Sequence, residues 1–176
     1  VRRGYVFKGW IDEQNNQWAK EYTELKDLLD TDEYASARAS TLNAHFTSPT
    51  IIKAMYDCLA NMGFQTGNIL EPACGTGNFF GLVPDSMKNS KLYGVELDSI
   101  TGRIAKQLYQ QASIAVQGFE DTSLPDTFFD LAIGNVPFGS YGIADKKYDK
   151  YKFLVHDYFF AKTLDKVRPG GIIAFI

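Results

Sequence analysis

Two short stretches hold residue types that could do chemistry together. The first, Ile69-Leu70-Glu71-Pro72-Ala73-Cys74-Gly75-Thr76-Gly77-Asn78, is an apolar run that ends in an acid and turns through two glycines. The second, Ile133-Gly134-Asn135-Val136-Pro137-Phe138-Gly139, follows about sixty residues on and sets a polar amide at the mouth of an apolar run, before a rigid Pro and a large aromatic. Gly75 and Gly77 remove side chains where a ligand must approach backbone N–H groups, and Asn78 is expected to open a helix whose N-terminus favours partial negative charge. Glu96, about 20 residues later, stands where a carboxylate accepts hydrogen bonds from both hydroxyls of a ribose. Nicotinamide dinucleotides use the same geometry, but Phe80 stands where their motif needs its third glycine, and Gly81 comes one residue late. Glu71 would repel a pyrophosphate and suit a cationic amino group. A ligand that joins an adenosine, an ammonium and a sulfonium is S-adenosyl-L-methionine.

The second stretch suits the partner reaction. An exocyclic amine conjugated to a ring or a carbonyl is a poor nucleophile, because its lone pair is delocalised. Two acceptors, the Asn135 side-chain oxygen and the Val136 carbonyl, can bend it towards tetrahedral geometry and aim the lone pair at a methyl group. Phe138 can stack on the ring that carries the amine. The plainer alternatives are that the glycines close a tight turn, that Glu96 is a solvated strand end, and that Asn135 caps a turn with Phe138 in the core.

Such a site needs strands to carry both turns. After Gly63 the pattern changes to short apolar runs separated by helical ones, which predicts a parallel sheet covered on both faces. Strands are expected at 68–71, 91–95, 113–116, 129–133 and 171–176, with helices at about 78–82, 99–111 and 153–167, the last stopped by Arg-Pro-Gly-Gly. The fold class is α/β, doubly wound. Upstream, Trp18, Tyr22, Leu25, Leu28 and Leu29 fall at helical spacing, and Thr31 can cap a second helix through Arg38. A third helix starts at Thr47 or Ser48 with Pro49 in its first turn, and Ile51, Ile52, Met55, Leu59 and Met62 form its expected buried stripe up to Gly63. Residues 1–16 read as an extended lead-in, so 1–46 are expected to be a lead-in and helical extension and 47–176 the ligand-binding domain.

The composition narrows the function. With 176 residues, 45% hydrophobic, the chain is long enough for one domain with its own core. A net charge of −3 with interspersed signs offers no basic field to hold a phosphate backbone by itself. Lys146, Lys147, Lys150 and Lys152 make a local basic patch after the second stretch and are expected to contact phosphate. Cys58 and Cys74 lack CxxC or His-rich spacing, so no metal site or disulfide is expected, and a reducing cytoplasm fits. No apolar run approaches the roughly 20 residues of a membrane span. The chain begins at Val and stops inside Gly-Gly-Ile-Ile-Ala-Phe-Ile, which reads as a piece of something larger.

The order and spacing of LEPACGTGNF, GVELD and GNVPFG resemble the N6-adenine DNA methyltransferases with the cofactor half first, and AHFTSPTIIKAM is similar to their upstream motif. Related segments, including HDYFFAKTLDKVRPGG, occur in helicase-methylase proteins of phages and mobile elements. The resemblance, over roughly residues 31–176, implies a Rossmann-like S-adenosyl-L-methionine-dependent fold. It also implies methyl transfer to adenine N6 of DNA, with the base flipped from the helix. Carried over by residue, Thr47 and Glu71 contact the methionine moiety and Ala73, Gly75 and Gly77 belong to the loop. Glu96 binds the ribose and Phe119 or Glu120 flanks the cofactor adenine. Asn135, Val136, Pro137 and Phe138 hold the target base. Three positions depart from the pattern. Gly118 stands where an Asp is common, Ser48 replaces a Pro, and Val136 replaces the first Pro of Asn-Pro-Pro-Phe, which costs the turn one fixed φ angle.

The same family implies an antiparallel hairpin after the fifth strand and a separate DNA-recognition domain, neither of which the sequence contains. The isolated chain is therefore expected to bind cofactor and to methylate DNA weakly or not at all. Two other readings stay open: a methyltransferase acting on RNA or a protein glutamine amide, and a cofactor-binding scaffold without activity. Cys74 reads as a packing residue, Asp98 and Asp121 as cap residues, and His45 and His156 lack a partner cluster. The aromatic residues Tyr141, Tyr148, Tyr151, Phe153, Tyr158, Phe159 and Phe160 are divided between core packing and a base-entry groove.

Overall fold

A computed structural model of the chain describes residues 16–43 and 46–176, and the side chains of 17–38 and 46–176. The expected lead-in, apart from Asn16, and His45 lie outside the described residues. A 3-10 turn, Asn16–Trp18, leads into helix α1, Ala19–Leu28. Helix α2, Thr31–Asn43, is started by Asp30 and not by Thr31: the Asp30 carboxylate accepts the Glu33 N–H (2.8 Å) while the Asp30 N–H donates to the Glu33 carboxylate (3.3 Å). This reciprocal capping box satisfies two of the backbone donors that a helix start leaves open.

Helix α3, Pro49–Asn61, is capped by Ser48, whose hydroxyl accepts the Ile51 N–H (3.4 Å), and has Pro49 at its first position. Its buried face is Ile52, Tyr56 and Leu59; Ile51 and Met62 of the expected stripe are exposed. Tyr56 takes their place because its ring fills the core while its hydroxyl donates to the Phe79 carbonyl (3.1 Å).

Five parallel strands follow: β1, Asn68–Glu71; β2, Lys91–Glu96; β3, Ser113–Val116; β4, Phe129–Gly134; and β5, Val167–Phe175. Their spatial order is β3-β2-β1-β4-β5. Helix α4, Ser99–Leu108, connects β2 to β3, and helix α5, Val155–Lys166, connects β4 to β5. Side chains alternate between faces. Ile69, Leu131 and Ile133 pack with Ile52, Tyr56 and Leu59 of α3, while Leu70, Phe129 and Ala132 pack with Val155, Tyr158 and Phe159 of α5. A smaller cluster of Cys74, Phe80, Ala105 and Ile114 seats α4.

Two further expectations fail. Only a 3-10 turn, Phe80–Leu82, follows the glycine loop, because Pro84 is close behind and restricts Val83 before it. The strand expected from residue 171 begins at Val167. Pairing with β4 jumps from Phe129↔Val167 to Leu131↔Ile172, so Arg168, Pro169 and Gly170 (φ +80°) form a bulge where a stop was expected. Arg168 Nε donates to the Asp130 carboxylate (2.5 Å) across it.

This strand order sets the position of any site. The chain winds outward from β1 to β3 and then crosses to β4 on the other side of β1, so the turns after β1 and β4 diverge around a crevice at the carboxyl ends of the strands.

Candidate functional site

The crevice opens into a cavity of about 360 Å³. It is bordered by Glu71 at the end of β1, Ala73 and Gly75 from the loop after it, Glu96 at the end of β2 and Asp98 just beyond, Phe119 and Glu120 after β3, and Asn135, Val136 and Pro137 after β4. Thr47 reaches it from the segment before α3. Ten of the twelve residues singled out in the sequence thus meet at one cavity. Gly77 and Phe138 are not among its lining residues.

Glu71 is 2% exposed and its Oε2 has no hydrogen-bond partner. Burial, and then the charge of Glu96, raise its carboxyl well above the ordinary range. Glu96 is held differently. Its Oε2 accepts the Gly75 N–H (2.6 Å) and its Oε1 the Asp98 N–H (2.8 Å). Burial raises this carboxyl also, and the two N–H groups pull it back down. A carboxylate offers about four acceptor sites, so both oxygens keep a position for a diol while the acid ties the glycine loop to β2.

The two loop glycines do different jobs. Gly75 has φ +54°, and a side chain there would meet nothing within 4 Å, so its face is open for a ligand. Gly77 has φ +82°, and a side chain there would run into the Tyr109 ring, so packing beside α4 requires this glycine. Gly77→Ala is expected to destabilise the chain by about 2–3 kcal/mol and Gly75→Ala by about 1 kcal/mol, read from urea unfolding; equal losses would remove this distinction.

Val136 explains itself once the sheet is seen. Its N–H donates to the Ile176 carbonyl (3.2 Å), and the Ile176 N–H donates to the Gly134 carbonyl (3.1 Å). A Pro at 136 could not make the first bond. The turn therefore exchanges a ring constraint for a hydrogen bond that extends the β4–β5 ladder. Phe138 is 59% exposed beyond this turn.

Sequence reasoning missed the contribution of α2. The Ser36 hydroxyl donates to the Asp98 carboxylate (2.8 Å), Glu33 pairs with Arg103 of α4 (2.5 Å), and Ser36 lines the cavity together with Phe46. Asp98 also caps α4 by accepting the Thr101 N–H (2.7 Å). Of the basic patch, Lys147 is engaged by Asp165 (2.7 Å) and Asp126 (3.6 Å), and the Lys150 ammonium lies over the Tyr151 ring. The aromatic group divides: Tyr148, Tyr158 and Phe159 are buried, while Tyr141, Tyr151 and Phe160 are exposed. Cys74 is buried and its thiol is raised by that burial. Among the described residues no group of three or more His, Cys, Asp or Glu is placed to hold a metal, and no helix is long and apolar enough to cross a membrane.

Residues 28–166 match the family model described as N-6 DNA Methylase. The chain belongs to this family. Over 141 residues, 77% of the chain and 6% of the relative, this family member is 31% identical to the Defense against restriction protein B of Escherichia phage P1. Over 93 residues, 53% of the chain and 24% of the relative, it is 38% identical to the type II methyltransferase M.CvrRI of Paramecium bursaria Chlorella virus XZ-6E. The chain thus spans a minor part of both relatives. The crystal structure of the plantazolicin methyltransferase BpumL with SAH covers 98% of this chain and 58% of its own, with a TM-score of 0.54 and 11% identity. The parallel sheet with helices on both faces is the Rossmann-like fold of S-adenosyl-L-methionine-dependent methyltransferases.

Proposed function

We propose that the chain is a DNA methyltransferase domain that transfers a methyl group from S-adenosyl-L-methionine to N6 of adenine. The observation that carries this reading is the convergence of the buried Glu71 and the half-buried Glu96 with the Asn135-Val136-Pro137 turn on one cavity. The residues suit the cofactor on their own chemistry. The unpartnered Glu71 oxygen answers an ammonium, Glu96 retains acceptor positions for a ribose, and the open face of Gly75 permits close approach.

The cofactor supplies an electrophilic methyl group on a sulfonium. Thr47 and Glu71 would hold its methionine end, Ala73 and Gly75 would border it from the loop, Glu96 would bind its ribose, and Phe119 and Glu120 would border its adenine. The Asn135 side-chain oxygen and the Val136 carbonyl accept the two N6 hydrogens of the target base and turn its lone pair towards the methyl group. The Val136–Ile176 bond fixes this acceptor pair before substrate arrives. Phe138, exposed beyond the turn, meets the face of an extruded base. The amine loses its proton after the new bond has formed, so the step demands no buried base. We assign the reading of DNA sequence to a separate recognition domain, and the two free thiols suit a reducing cytoplasm.

Calorimetric titration of the chain with S-adenosyl-L-methionine and, separately, NAD tests the cofactor half. Saturable binding of the first, weakened about ten-fold or more by Glu96→Ala through loss of charge-assisted hydrogen bonds, is the expected result. Binding of NAD instead, or of neither, overturns it. Product analysis after incubation with DNA, RNA and glutamine peptides then decides the acceptor, with N6-methyladenine in DNA expected.

A further inference from the structure

A second cavity, of about 300 Å³, lies beside the first. Tyr141 and Ile143, on the segment that leaves the Asn135–Gly139 turn, border both. Phe153, Tyr148, Tyr158, Lys152 and the carboxylate-bearing Asp149 also line it. Phe153 is backed by a layered arrangement: Tyr151 stacks on it (centroids 5.1 Å apart, planes 20° from parallel), and the Lys150 ammonium lies 4.8 Å from the centre of the Tyr151 ring.

That stacking depends on backbone geometry. Lys152, between the two rings, has φ +53° and ψ 40°, the left-handed conformation that a lysine seldom adopts. The reversal lets Tyr151 and Phe153 stack, and Lys152 itself lines the cavity. Its ammonium has no ion-pair partner among the described residues, whereas Lys147, Lys162 and Lys166 are all engaged by carboxylates. The floor is rigid: the Tyr158 hydroxyl donates to Asp145 (2.8 Å), which also accepts from Lys162 (3.0 Å), and the Tyr148 hydroxyl donates to Asp165 (2.6 Å).

An aromatic lining with an available cation beside it is the composition that holds an unpaired nucleobase and its phosphate without regard to sequence. Continuity with the methyl-transfer cavity through Tyr141 says which base. We propose that this second cavity takes a nucleotide of the substrate DNA strand next to the target adenine, its base against Phe153 and its phosphate near Lys152. The site would keep the neighbouring base unstacked while the target is extruded. This assignment rests on the proposed function.

The test is fluorescence anisotropy of a labelled single-stranded 12-mer DNA containing adenine, titrated with the 176-residue chain saturated with S-adenosyl-L-methionine. Phe153→Leu keeps apolar bulk and loses the stacking face, and should weaken binding about ten-fold; Phe153→Tyr should restore it. Lys152→Gly keeps the left-handed backbone and removes the charge, and should make the slope of log affinity against log salt shallower by about 0.7. Cofactor affinity should stay unchanged in all three. Unchanged DNA affinity in Phe153→Leu, with cofactor binding intact, overturns the second cavity alone. Failure of the unaltered chain to bind the cofactor overturns the proposed function and this assignment with it.

Discussion

Asn135→Ala is expected to lower methyl transfer to adenine-containing DNA by two to three orders of magnitude, on the order found when a preorganised transition-state contact is removed, while cofactor affinity stays within about two-fold. Asn135 is directed by β4, whose last residues pair with β5 up to Gly134↔Phe175, so its backbone is placed by the sheet and not by the side chain. Removing the amide takes away one of two acceptors and leaves the turn standing. Asn135→Asp keeps an oxygen acceptor at the same place and should retain more activity than the alanine variant. Single-turnover transfer from labelled cofactor measures both. Equal activity of Asn135→Ala and the unaltered chain would remove Asn135 from the reaction.

Glu71→Gln should weaken S-adenosyl-L-methionine binding by about ten- to a hundred-fold, the range of a charge-assisted hydrogen bond lost in a buried site. It should also change how the chain responds to pH. The buried Glu71 holds its proton to a higher pH in the folded chain than in the unfolded one, chiefly through desolvation and secondly through Glu96. Between the ordinary carboxyl range and that raised value the folded state binds more protons. The contribution of Glu71 to stability is therefore full at low pH and declines as pH rises through the window. Cofactor binding should run the opposite way, strengthening as pH rises and releasing a proton as the carboxylate forms. Thermal melts of the cofactor-free chain across pH should show the decline, flattened in Glu71→Gln. A decline of the same size in that variant would assign it to another group, Glu96 first.

Much of the architecture was legible because its signals are local. The short apolar runs at 68–71 and 113–116 coincide with β1 and β3 to the residue; Gly67 and Pro72 bound the first, and Gly118 follows the second closely. The boundaries failed where a partner outweighed local preference. Arg168-Pro169-Gly170-Gly171 looks like a stop, yet the Asp130–Arg168 contact and the edge of β4 draw Val167 into the sheet and leave the breakers as a bulge. The packing demand on Gly77 could not be read from the motif around it, because Tyr109 stands 32 positions further along the chain. Ser36 carried no signal, because it stands among small helical residues and meets Asp98 from 62 positions away in the chain. Glu71, Glu96 and Asn135 were readable because each closes an apolar run with a polar group, and parallel strands bring such ends together.

The hydrogen bond from Val136 to Ile176 has a spectroscopic consequence. A proline at 136 would carry no amide proton, so the valine gives the turn its own nuclear magnetic resonance reporter. Its cross-peak sits between the two acceptors assigned to the target amine, and its exchange with deuterated solvent registers each opening of the last rung of the ladder. The opening rate of the turn becomes directly observable, with and without DNA, at the position where the family pattern would be silent.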